Sequence, residues 1–418
     1  MYEAKPERRE LFNKLLADEK VQKALKFIED DQERTKEELK KLVVIEAPSW
    51  EEENRAKAFA QMMIEQGLTD AHIGAGGDVI SVRKGTTDGP KVLIEGHMDT
   101  VFPFGTVKGV EEKDGILYAP GIGDDTRALA MLLCINRALS AAGITTVKDV
   151  LFVGTTREEG LGGLGGIYDL HESRKDIGAQ ISLDNHNMAA ITYEGTIGET
   201  YEFKIIGKAG HSYGAFGTMA NTVHAGARAV AKIADYQVPD DPKTTFCASN
   251  FHAGTASGVH AFAPEASVIV NFRSNSDEEF AKMKTFIFNA FEEAVREENE
   301  RWNKEPLTLE VKPISITPGG KQDPHCALVE ASQMALEELG VKGFLSQGGS
   351  TNANIAISRG IPAVCLGRGF VPEGQSGNIR NHSVDEFFPL YNAYKAVQHA
   401  LLVLLMAAGV DGLTDPIE

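Results

Sequence analysis

Lys91-Val92-Leu93-Ile94-Glu95-Gly96-His97-Met98-Asp99 decides the fold: a short apolar run, a glycine, then an imidazole and a carboxylate two positions apart. The run at 91–95 reads as a strand, and its apolar texture is that of a strand buried on both faces. Residues 149–154, 180–183 and 361–366 share that texture, and 126–142 reads as a mostly apolar helix among them. Buried strands separated by helical patterns imply an α/β sheet. Upstream, 6–65 reads as helices, interrupted at Ala47-Pro48-Ser49 and carrying a charged face around Glu51-Glu52-Glu53.

Beyond residue 197 the period changes. Segments 199–206, 266–273 and 308–314 alternate apolar and polar as half-exposed strands do, and helices are predicted at 218–235 and 277–299. Four strands with two helices on one face form an α+β unit. The chain therefore divides into an α/β domain over 1–196 and 315–418 and an inserted domain over 197–314.

Composition narrows the function. Against 42 Lys plus Arg stand 60 Asp plus Glu, a formal net charge of −18 over 418 residues. Such an acidic balance argues against nucleic acid, whose binding needs clustered Lys and Arg. With 42% hydrophobic and 24% charged residues the chain has the make-up of a soluble globular protein. Its longest apolar run, 400–410, is shorter than the ~20 residues that span a bilayer. The start, residues 1–9, has no apolar signal core, so neither a membrane nor export is expected. Cys134, Cys247, Cys326 and Cys365 lie far apart with no CxxC pair and read as reduced core thiols of a cytoplasmic protein.

Three clusters carry chemistry. In an extended chain positions i and i+2 point the same way, so His97 and Asp99 can present an imidazole and a carboxylate to one point; an ordinary turn is the plainer reading. Gly121-Ile122-Gly123-Asp124-Asp125-Thr126 precedes the apolar helix, where either aspartate can cap free amides and Asp124 can equally reach a metal. Thr155-Thr156-Arg157-Glu158-Glu159-Gly160 follows a strand. Two adjacent carboxylates there are a solvated loop, or one is a metal ligand and its neighbour a general base. Asp184, ending a strand, and His382 complete the candidates. Two divalent ions outweigh Asp124, Glu159 and Asp184 by one charge, which a bridging hydroxide neutralises, the balance that two-metal hydrolysis requires. Mixed imidazole and carboxylate ligation suits zinc, manganese or cobalt, as one or two ions. Gly160-Leu161-Gly162-Gly163-Leu164-Gly165 spells GxGxxG, but Arg157-Glu158-Glu159 would set two carboxylates against a pyrophosphate, so a dinucleotide site is not expected.

Taken together, these motifs resemble the M20 family of metallopeptidases, which includes carboxypeptidase G2-like, aminoacylase-like and peptidase T-like enzymes. The resemblance runs through nearly the whole chain in the family's order. It implies His97, Asp124, Glu159, Asp184 and His382 as metal ligands, Asp99 as the residue orienting His97, and Glu158 as general base. It also implies a zinc-peptidase type catalytic domain with a mixed, mostly parallel sheet, interrupted by a ferredoxin-like lid that commonly forms the homodimer. Within that lid, Gly207-Lys208-Ala209-Gly210-His211-Ser212 resembles the segment whose histidine stabilises the oxyanion in a neighbouring subunit, and Arg273 resembles the arginine that holds a substrate carboxylate.

Departures from the family pattern fall on the substrate side. Thr126 and Arg127 stand where Lys and Gly are usual, Asn271 replaces a frequent Asp, His260 takes the lid's usual Asn position, and Asn352 replaces an Asp in Ser350-Thr351-Asn352-Ala353-Asn354. His260 and Asn352 are accordingly candidate substrate contacts. The expected activity is metal-dependent cleavage of a C–N bond in a small carboxylate-bearing amide or dipeptide, with hydroxide held by the metals as nucleophile. One alternative keeps the site and changes the bond: hydrolytic deamination of a small aromatic amino acid such as a nitroanthranilate. Another is a non-catalytic binding protein that retains the fold.

Overall fold

The computed structural model describes residues 4–302, 304–371 and 379–417; the first three residues of the start read above for a leader lie outside them. The chain forms two compact units, one from residues up to Gly195 and from Gly320 onward, the other from Thr196–Gly319.

The first unit is built on an eight-stranded sheet. Its order is His72–Ile73, Val79–Arg83, Val150–Thr155, Lys91–His97, Ile177–Asn185, Ala363–Gly367, Ala190–Thr192 and Phe344–Ser346. The four strands from Val150–Thr155 to Ala363–Gly367 are mutually parallel, while both flanks bring in antiparallel neighbours. Successive side chains of a strand face opposite ways. Val92, Ile94, Val150 and Phe152 accordingly enter one core with the helices Thr126–Ala142 and Tyr394–Ala408, whereas Leu93, Leu151 and Val153 enter another with Leu164, Ile167 and Leu170. Each such buried side chain contributes roughly 1.5–3 kcal/mol. Gly96 is required by close packing, since a Cβ there would lie 2.4 Å from the Ala128 Cβ. The helix thus seats directly against the strand end that carries His97.

The apolar run at 400–410 belongs to the buried helix Tyr394–Ala408, and among the described residues no helix is long and apolar enough to cross a membrane. One position of that helix is polar and fully buried: His399 pairs through Nε2 with Ser332 Oγ at 2.7 Å. Burial pushes its imidazole down to about 4, partly countered by Ser332. A depressed pKa keeps the His399 imidazole neutral in the folded protein while the unfolded chain takes up a proton there near 6.5. Stability is therefore lost as pH falls from about 6.5 to 4, by about 3 kcal/mol from this one group. Urea unfolding across that range should show His399→Gln with a correspondingly shallower acid slope than the parent, and identical slopes would contradict the assignment.

The second unit has the strand order Thr244–Ala253, Glu265–Ser274, Ile197–Ile206, Thr308–Thr317, all pairs antiparallel. With helix Thr222–Ala234 following Ile197–Ile206 along the chain and helix Asp277–Trp302 following Glu265–Ser274, this is the ferredoxin-like arrangement. Tyr201, Phe203 and Ile205 with Val268, Val270 and Phe272 form the single buried face under both helices. Two expectations need correction. The strand over 308–314 continues to Thr317, because pairing with Ile197–Ile206 resumes past a register shift between Pro313 and Ser315 that breaks the simple alternation. Cys247, read as a core thiol, is exposed on the edge strand Thr244–Ala253, whose side chains are mostly exposed. The chain leaves the first unit at Gly195 and returns at Gly320, and these two glycines exchange backbone hydrogen bonds of 2.9 and 3.1 Å.

Candidate metal centre

The site lies where the four parallel strands end, the edge at which open α/β sheets place their ligands. His97 closes Lys91–His97, Asp184 is next to last in Ile177–Asn185, Glu158 and Glu159 follow Val150–Thr155, and Arg368 follows Ala363–Gly367. A small antiparallel sheet brings in the remaining partners. Phe387–Pro389 pairs with Ile116–Tyr118, which returns residues 381–386 to the turn at 121–125. Glu386 accepts the backbone N–H groups of Gly121, Gly123 and Asp124 at 2.9, 2.8 and 2.7 Å. That cradle fixes Asp124.

Asp124 is the hub. Its Oδ1 lies 3.2 Å from His97 Nε2, and its Oδ2 lies 3.3 Å from His382 Nε2. On the first side Asp184 Oδ1 is 3.8 Å from His97 Nε2; on the second, Glu159 Oε1 is 2.8 Å from His382 Nε2. Two donor sets therefore share one carboxylate. The donor atoms of His97, Asp124 and Glu159 lie within 4.8 Å of one another, as do those of His97, Asp125 and Asp184, so His97 is common to both of these triads. Imidazoles and carboxylates with no thiolate suit a borderline or hard divalent ion. So many carboxylates held out of water also demand cations, because unpaired buried charge is expensive. The donor set fits a divalent metal.

Asp99 does more than sit beside the ring. His97 Nδ1 is 2.9 Å from the Asp99 carbonyl and 3.4 Å from its carboxylate. The carboxylate oxygens accept the backbone N–H groups of Glu158 and Glu159, each at 3.0 Å, and the hydroxyl of Ser49 at 2.6 Å. One buried aspartate thus ties the first strand end to the Glu158-Glu159 pair. The glycines after that pair fold back on it: a Cβ at Gly162 would meet the Arg157 carbonyl at 2.5 Å. What spells GxGxxG is a tight turn around the two glutamates.

Asp125 also departs from its simplest reading. It precedes the helix Thr126–Ala142 but makes no side-chain cap. Its Oδ2 instead accepts the His97 N–H at 2.9 Å and its Oδ1 accepts from Arg368 at 2.7 Å.

Electrostatics follow from burial. Burial pushes the Glu158 carboxyl well above its ordinary range, reinforced by the Asp184 charge. Asp184 is pushed up to about 7 by burial, against the Arg368 charge and with that of Asp124. Asp124 is held well below the carboxylate range, because the Arg368 charge and the His382 and His97 hydrogen bonds outweigh its burial. Beside Asp184 opens a cavity of about 370 Å³ with a mixed lining that includes Asn185, His186, Thr192, Phe344, Ser346 and Thr351.

Of the residues read as substrate contacts, Asn352 is placed otherwise. It is buried, and its amide donates to Glu95 and to Thr155 Oγ1, both at 2.8 Å. It therefore forms part of the wall that holds Glu95 behind the strand ends, with no donor left for a ligand. His211, His260 and Arg273 belong to the second unit. Strands Gly210–His211 and Ala261–Phe262 pair, and the Ser212 N–H donates to the His260 carbonyl at 2.8 Å. His211 is exposed; its Nδ1 accepts from the Tyr213 and Gly214 N–H groups at 3.3 and 3.4 Å. That pattern fixes the tautomer with Nε2–H free to donate. Arg273 is exposed on the strand Glu265–Ser274, with its side chain lying over Gly198.

Sequence reasoning did not find Arg368 or Glu386 as members of the site. The signal for Arg368 was present: it stands directly beyond the apolar strand at 361–366, the position that His97 occupies beyond its own.

Fold and site together define a metal-dependent hydrolase of the peptidase and amidohydrolase class. Residues 93–406, three quarters of the chain, match the model of peptidase family M20/M25/M40, and the chain belongs to that family. It is 27% identical over 351 residues to succinyl-diaminopimelate desuccinylase of Acinetobacter baumannii (strain AYE), covering 78% of this chain and 87% of that protein. Among solved structures, aminopeptidase PepT from Bacillus cereus superposes with a TM-score of 0.70 at 23% identity, covering 89% of this chain and 98% of that one. YXEP of Bacillus subtilis, described as a dinuclear metal-binding peptidase, gives a TM-score of 0.62 at 15% identity, covering 91% and 99%.

Proposed function

We propose that this enzyme hydrolyses the C–N bond of a small amide or dipeptide bearing a free carboxylate, with Glu158 as general base. The observation that carries the reading is the placement of Glu158: buried beside both donor sets, with its backbone held by Asp99. Donors for a divalent metal come from among His97, Asp124, Asp184, Glu159 and His382, and a metal held there would supply Lewis acidity toward the scissile carbonyl and toward water. Glu158 takes the proton of the attacking water and passes it to the leaving nitrogen, so that water is added across the bond and an acid and an amine leave. His211, donating through Nε2–H, is suited to the oxyanion. Arg273, a two-pronged donor, is suited to the substrate carboxylate, and His260 is a further contact on the same unit. A homodimer in which His211 serves the partner's site is part of this proposal.

A panel of dipeptides, N-acyl amino acids and N-succinyl amino acids, together with 5-nitroanthranilate, tests the bond class. Release of a free amino acid from one of the amides supports the reading. Ammonia from the aromatic amine with every amide inert would replace it by a deaminase.

A further inference from the structure

Arg368 has no place in the chemistry above, yet it sits inside the donor set. It is 2% exposed, and its Nη1 lies 2.9 Å from Asp124 Oδ1, 2.7 Å from Asp125 Oδ1 and 3.2 Å from Asp184 Oδ1. An Nη carries two hydrogens, so three carboxylates share them. Two of these oxygens, on Asp124 and Asp184, are the same atoms that face His97 Nε2. The guanidinium therefore stands on the oxygens that a metal in the His97 set would need. In the second set Asp124 Oδ2, Glu159 and His382 face one another; the three Arg368 contacts just given go elsewhere, and Asp124 Oδ2 there meets the neutral Asn381 amide at 3.3 Å.

The arginine is also fixed in place. Its backbone N–H donates to the Asn185 carbonyl at 2.7 Å. At the preceding Gly367 a Cβ would come within 2.2 Å of the Asn187 and Met188 backbone, so the chain is pressed against 187–188 and the side chain has a fixed origin. Asp125, the closest partner, is itself anchored by the His97 N–H. Withdrawal of the guanidinium would leave Asp125 buried without its cation, a costly state.

We infer that Arg368 is the resident cation of the His97–Asp124–Asp184 set, so that this enzyme binds one divalent ion tightly, in the Asp124–Glu159–His382 set, instead of two. The inference rests on the metal-centre reading proposed above and adds to it a stoichiometry and the residue that sets it.

The test is metal binding, with Mn2+ as the probe, to the full chain stripped by chelator and dialysed. Calorimetric titration should give one tight equivalent per chain, and electron paramagnetic resonance should show the hyperfine sextet of an isolated Mn2+. In Arg368→Met, which keeps the apolar stem and removes the charge, the second equivalent should tighten by at least about tenfold and an exchange-coupled signal should replace the sextet. Arg368→Lys, which retains a cation, should stay at one equivalent. Two tight equivalents and a coupled signal in the parent protein would overturn the inference while leaving the metal centre standing. No binding at all in the parent would overturn both. Because the parent protein alone is decisive, poor folding of Arg368→Met does not rescue the inference.

Discussion

Glu158→Gln should lower kcat by about 10²- to 10⁴-fold, the contribution typical of a positioned proton shuttle, while metal content and KM stay close to the parent values. Glutamine has the shape of glutamate but cannot take up a proton at neutral pH. The backbone of residue 158 is held by its N–H to Asp99, so the substituted amide should remain where the carboxylate was. The amide matches the carboxylate in size and adds no buried charge, so it should be accommodated without loss of fold. Steady-state kinetics together with elemental analysis of the same preparation separate the two effects. A kcat within tenfold of the parent, at unchanged metal content, would remove Glu158 from the proton transfer. Loss of metal along with activity would instead make it a ligand.

Asp124→Ala should abolish both activity and tight metal binding. Asp124 stands in hydrogen-bonding range of both histidines, with Oδ1 3.2 Å from His97 Nε2 and Oδ2 3.3 Å from His382 Nε2. Its removal therefore weakens both donor sets at once. Binding to the folded state alone stabilises it by about 4 kcal/mol at a thousandfold excess over Kd. Thermal melts of the chelator-treated protein should accordingly rise on adding Zn2+ or Mn2+, and those of Asp124→Ala should not. A variant that keeps the metal-induced shift would show that the ion lies elsewhere.

Much of this centre was legible in the chain because its pieces are local. His97, Asp184 and the Glu158-Glu159 pair each end or closely follow an apolar strand, and the strands declare themselves because burial on both faces leaves them almost no polar positions. What escaped was long-range. Glu386 reaches Asp124 across 262 residues and Arg368 reaches Asp125 across 243; neither local periodicity nor spacing predicts such a meeting. The strand Thr244–Ala253 escaped for the opposite reason. At a sheet edge with most side chains in solvent, it has no buried face to impose alternation. Asn352 was visible as a residue but misplaced, since only the fold reveals that its amide is committed to Glu95 and Thr155.

The paired glycines at 195 and 320 have a consequence for evolution and engineering. Because the outgoing and returning chains are hydrogen-bonded neighbours, the whole excursion begins and ends at essentially one point, and all eight strands of the first unit's sheet lie outside it. Neighbouring strands stand about 5 Å apart, a gap that a two-residue hairpin spans. Residues 196–319 are thus a cassette, exchangeable for another of any length whose termini meet, while the chelating edge of the parent scaffold keeps its covalent frame.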